Sequence, residues 1–154
     1  MIVSRKKINA IGRYASGSRM ETPDITKIRL LLVEDDGINQ LVADTMLSNL
    51  GYHVDIVSNG WEALEKLKAV RYSLVFMDCM MPEMDGYQTT QLIRDPDSQV
   101  LNREIPIIAI TGNATSEDLT KCIQNGMNDF LTKPIEQDRI SSMISKWVSD
   151  LPPT

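Results

Sequence analysis

The chain has 154 residues, 42% of them apolar, 24% charged and 5% aromatic, a composition that suits one globular domain with a tail. Its net charge of −5 is uneven: residues 1–25 carry Arg5, Lys6, Lys7, Arg13 and Arg19 against Glu21 and Asp24, a local +3 that leaves −8 on the remainder. An acidic body argues against nucleic-acid backbone binding, and two cysteines are too few for a secreted disulfide framework. With no apolar stretch near membrane-span length and no signal-peptide core, the expected setting is a reducing cytoplasm.

Residues 1–25 mix basic residues with Gly, Ser and Pro and show no periodicity, so they read as a linker or flexible basic arm, with one domain over 26–152. The apolar run Leu30 to Val33 predicts a first strand from about Ile28, and it stops at Glu34-Asp35-Asp36. A helix should follow from Gly37 to near Gly51, with Ile38, Leu41, Val42, Thr45 and Met46 on one face. Tyr52 to Val57 reads as a second strand. Trp61 to Val70 reads as a second helix, with Trp61, Leu64 and Leu67 turned partly inward.

The third strand, ending Leu74-Val75-Phe76-Met77, is apolar enough to be buried on both faces and delivers Asp78 at its end. Taken alone, such an aspartate is a turn residue. Pro82 and Gly86 punctuate the loop beyond it, and a third helix spans Gly86 to Arg94. The fourth strand, Pro106 to Ile110, ends in Thr111, itself an ordinary helix-capping residue when read in isolation. A fourth helix covers Ser116 to Asn125. The fifth strand, Asp129 to Thr132, ends in Lys133-Pro134, and the last helix runs Glu136 to Ser149 with Ile140, Met143, Ile144 and Trp147 on one face.

Five strands alternating with five helices imply a doubly wound parallel sheet with right-handed crossovers. In the flavodoxin-like strand order 2-1-3-4-5, the first and third strands are neighbours, so Asp35 and Asp78 share a crevice at the strands' C-terminal ends. That edge collects acids, a hydroxyl and an ammonium.

The pieces LLVEDD, FMDCMMPEMDG, IAITGNA and FLTKP, each at a strand's end and in this order, resemble the receiver domain of two-component signalling, whose fold is CheY-like. The resemblance covers residues 27 to about 150 and implies a phosphoacceptor, with Asp78 as the nucleophile that takes a phosphoryl group from a phosphohistidine. It implies Mg2+ held by Asp35, Asp78 and the Met80 carbonyl, with Glu34 acting through water. Magnesium also suits the chemistry of crowded carboxylates, since it prefers oxygen ligands and keeps several waters. Asp36, where many receivers have Asn, reads as a loop or capping residue.

By the same resemblance Lys133 and Thr111 meet phosphoryl oxygens, Pro134 follows a cis bond, and Phe130 is the switch aromatic on strand five. Phosphorylation would then change the surface of helix four, strand five and helix five. Gly112 departs from the usual alanine. The partner implied is a sensor histidine kinase or histidine phosphotransfer domain, with no nucleic acid and no membrane contact by this domain. The chain has no nucleotide-binding glycine loop, so it is expected to phosphorylate and dephosphorylate itself without being a turnover enzyme.

Two other classes compete: a magnesium-dependent aspartate-nucleophile phosphohydrolase, which would want an acid where Met80 stands, and a non-phosphorylated flavodoxin-like binding module. His53, the only histidine, reads as an ordinary side chain, and Cys79 as a packed thiol. The chain's end soon after the fifth helix leaves no room for a DNA-binding output domain. With EDD..NQ and TGNA, this favours the receiver of a hybrid sensor kinase, cytoplasmic even if its parent is membrane-anchored.

Overall fold

The computed structural model describes residues 25–148. The expected basic arm lies outside the described residues except for Ile25, which opens a short 3-10 turn, Ile25–Lys27. Five strands follow: β1 Arg29–Val33, β2 His53–Val57, β3 Leu74–Asp78, β4 Ile107–Thr111 and β5 Asp129–Thr132. Between and after them come α1 Gly37–Asn49, α2 Gly60–Ala69, α3 Gly86–Arg94, α4 Ser116–Gln124 and α5 Gln137–Val148.

The strands form one sheet in the order β2-β1-β3-β4-β5, every pair parallel. The central strands β3 and β4 are buried along their whole length, as is β1 after Arg29, which is why they read as continuous apolar runs. Alternate residues divide between two cores. Leu31, Val33, Val75, Met77 and Ile107 face α2, α3 and α4 through Ala63, Leu67, Ile93 and Cys122. On the other side, Leu30, Leu32, Leu74, Phe76, Ile108 and Ile110 meet α1 and α5 through Ala43, Leu47, Ile140 and Ile144.

Two helix faces differ from expectation. Ile38, Leu41 and Val42 share a face of α1, but that face points to solvent, Ile38 being 75% and Leu41 66% exposed; the sheet is met by the smaller Ala43 and by Leu47. Trp61 is likewise 61% exposed, and α2 packs through Ala63 and Leu67 with Leu64 partly buried. Periodicity identifies residues that share a face, whereas the crossover geometry decides which face meets the sheet. The stretch after α3 is held by Arg94, whose guanidinium donates to Arg103 O (2.5 Å), Gly126 O (3.1 Å) and Asn128 Oδ1 (2.9 Å).

Candidate functional site

β1 and β3 pair with Val33 opposite Met77, so the chain leaves the two strands at adjacent points, with Glu34 beside Asp78. Carboxylate oxygens of Glu34, Asp35 and Asp78 all lie within 4.8 Å of one another. Glu34 and Asp78 are almost completely buried, at 2% and 1% exposure, while Asp35 opens to solvent. From β5, Lys133 Nζ reaches Asp78 Oδ1 at 3.3 Å and Glu34 Oε1 at 3.7 Å. Acids from two strands and a cation from a third therefore meet at one sheet edge, as the strand-end pattern predicted.

Burial, and then the hydrogen bond with Asp78, push the Glu34 carboxyl up to about 7, although the Asp36 N–H and the Lys133 ammonium pull it the other way. One cation cannot neutralise three crowded carboxylates, so the crowding favours the protonated form of Glu34. The same crowding and all-oxygen donor set fit a hard divalent cation.

Local structure fixes the acids. Asp36 Oδ1 accepts from the Ile38 and Asn39 N–H groups and so caps α1, the role expected for it, while its own N–H donates to Glu34 Oε2 at 3.1 Å. The Met80 N–H donates to Asp78 Oδ1 at 3.1 Å, which places the Met80 peptide against the nucleophile candidate; the Met80 side chain is 73% exposed. Gly86, read from sequence as loop punctuation and the start of a helix, is a close-approach residue: its N–H donates to Cys79 O, and a Cβ there would collide with the Asp78 carbonyl oxygen. Its spacing after the strand-end aspartate is the only sequence signal for this role.

Thr111 ends β4, next to the strand that carries Asp78, and is buried. Its hydroxyl is engaged inside its own loop, donating to Asn113 O at 2.9 Å and accepting from the Asn113 N–H at 3.2 Å. Phe130 is half-buried and packs against the core on the α2–α4 side. The Lys133–Pro134 bond is cis, and the Lys133 N–H donates to Thr111 O. Burial pushes the Cys79 thiol up to about 12, so it is a packed, protonated core group. His53 is exposed and lies on Asp55 at 3.0 Å, at the opposite end of the strands from the acids.

The response regulator receiver domain family matches residues 30–145. This chain belongs to that family. Among curated proteins, the receiver is similar to the sensor histidine kinase GacS of Pseudomonas protegens, with 36% identity over 88% of this chain and 15% of that protein. The chain thus spans less than a fifth of that relative's length.

Among solved structures, it is similar to the receiver domain of a sensor histidine kinase from Pseudomonas aeruginosa that has magnesium coordinated in its active-site cleft. Identity there is 40%, the TM-score is 0.70, and the match covers 79% of this chain and 97% of that one. It is also similar, at 30% identity and a TM-score of 0.71, to the receiver domain of the Saccharomyces cerevisiae response regulator Ssk1 crystallised with the histidine phosphotransfer protein Ypd1; that match covers 82% of this chain and 92% of the other. The receiver is a phosphorelay module, and among its described residues no helix is long and apolar enough to cross a membrane.

Proposed function

We propose that Asp78 of this receiver accepts a phosphoryl group from a phosphohistidine on a sensor histidine kinase or histidine phosphotransfer domain. The observation that carries the proposal is the meeting of Asp78, Glu34 and Lys133 in one buried cluster, with Asp35 at its mouth. An Asp78 carboxylate oxygen attacks phosphorus in line, forming the O–P bond of an acyl phosphate as the N–P bond breaks. The electron pair leaves with the imidazole nitrogen of the donor. Lys133, already 3.3 Å from Asp78 Oδ1, pairs with a phosphoryl oxygen, and the Met80 N–H holds the attacking carboxylate in place.

Asp35, Asp78 and the Met80 carbonyl would hold Mg2+, with Glu34 acting through water, and the bound ion supplies charge neutralisation for acids and phosphoryl oxygens together. Thr111 exchanges its contacts with Asn113 for a phosphoryl oxygen, and Phe130, on the neighbouring strand two residues before Thr111's partner Thr132, moves with it. The exposed Ile38, Leu41 and Val42, which begin three residues after Asp35, form the surface on which the histidine-bearing partner docks. The names of relatives that are sensor histidine kinases support a hybrid sensor histidine kinase as the parent of this module.

Incubation with acetyl phosphate and Mg2+, followed by intact-mass measurement, tests the central step. The native chain should gain one labile phosphoryl group and Asp78→Asn none. Equal labelling of the two, or multiple turnover of the donor with no retained group, would overturn the proposal; the latter outcome would point to a phosphohydrolase.

A further inference from the structure

Gln40 closes the first turn of α1, is half-buried, and carries no charge that the acid cluster could use. Its side-chain amide nevertheless reaches into that cluster's backbone, with Nε2 donating to Glu34 O at 2.7 Å and to Ser58 Oγ at 3.2 Å. Both amide hydrogens are accounted for by these two acceptors.

The carbonyl that Gln40 holds belongs to the peptide joining Glu34 to Asp35. On its other side, the Glu34 N–H donates to Val57 O at 3.1 Å, one residue past the last pair of the β1–β2 ladder. The Glu34 backbone is therefore held by β2 through its N–H and by α1 through its C=O. The far anchor is fixed as well: the Ser58 N–H donates to Glu62 Oε1 at 2.8 Å, and Glu62 lies in the first turn of α2, where Asn59 caps its N–H. A chain of hydrogen bonds thus runs from the start of α2 through Ser58 and Gln40 to the plane from which the Glu34 and Asp35 side chains depart.

We infer that Gln40 is a positioning residue for the cation site: its amide sets the Glu34–Asp35 peptide so that both carboxylates converge with Asp78. The inference rests on the magnesium assignment proposed above. An unheld carbonyl leaves this peptide free to rotate, and the acids then spend binding energy on ordering themselves.

The test is calorimetric titration of the unphosphorylated chain with Mg2+, paired with thermal unfolding. Gln40→Met removes both donors while keeping length and neutrality, and it should weaken Mg2+ binding about three- to tenfold, the worth of one lost hydrogen bond. Gln40→Glu keeps the shape, removes the donors and adds a negative charge. It should also weaken binding, although charge alone would strengthen it.

Leu47→Ala, a core truncation elsewhere on α1, controls for stability and should lower the melting temperature with Mg2+ affinity unchanged. Native-like affinity in both Gln40 variants, or an equal loss in Leu47→Ala, would overturn the inference while leaving the metal assignment standing. No Mg2+ binding by the native chain would overturn both.

Discussion

Glu34 shows how a single side chain reports on the state of the whole cluster. Burial raises its carboxyl from 4.5 to about 7, so the folded protein holds a proton there more tightly than the unfolded chain does. For an acid shifted upward, the contribution to stability is full below the unfolded value and is lost as pH rises through the folded one. In metal chelator, the midpoint of urea unfolding should therefore fall as pH climbs from about 4.5 through about 7, and Mg2+ added above that range should restore it. Glu34→Gln should flatten the pH dependence. A midpoint insensitive to pH across that window would show that Glu34 does not carry the cluster's proton.

Among elements, the loop from β3 to α3 is the one that fixes the acceptor. Gly86 opens α3 beneath an Asp85–Gln88 capping box, and the helix start lies directly against the Asp78 backbone. Gly86→Ala would press a methyl group onto the Asp78 carbonyl and the Met77 side chain, so it should cost about 1–3 kcal/mol in chemical denaturation and slow phosphoryl uptake as well.

The inner strands β1, β3 and β4, by contrast, were legible in the sequence because burial on both faces leaves an apolar signature, and Glu34, Asp78 and Thr111 stood where it stopped. The cap by Asp36 was legible too, since a short side chain with an acceptor oxygen just before a helix suits that bond. The outward face of α1 was not, because its apolar spacing is the same whether it meets a sheet or a partner. Gln40 was hidden for another reason: its two acceptors belong to different loops, and nothing local in the sequence says those loops touch.

For the whole molecule, the same outward face divides two kinds of phosphorylation. A small donor needs only the pocket, whereas a protein donor also needs a surface beside it, and Ile38 with Leu41 is the exposed apolar surface that follows the acid loop. Leu41→Glu should leave labelling by acetyl phosphate unchanged while slowing transfer from a phosphorylated histidine phosphotransfer protein about tenfold or more. Equal loss with both donors would mean that the substitution damages the pocket and that the face has no part in docking.

Behind both routes stands the claim that side chains from three strands make one acid at the end of β3 a phosphoryl acceptor. Borohydride reduction of the phosphorylated receiver, followed by peptide mapping, tests it at the level of a single residue, because an acyl phosphate on aspartate is reduced to homoserine. The expected product is homoserine at position 78 alone, dependent on phosphodonor. Homoserine at position 35 or 36 in its place, or no reduced residue in a fully labelled sample, would contradict it.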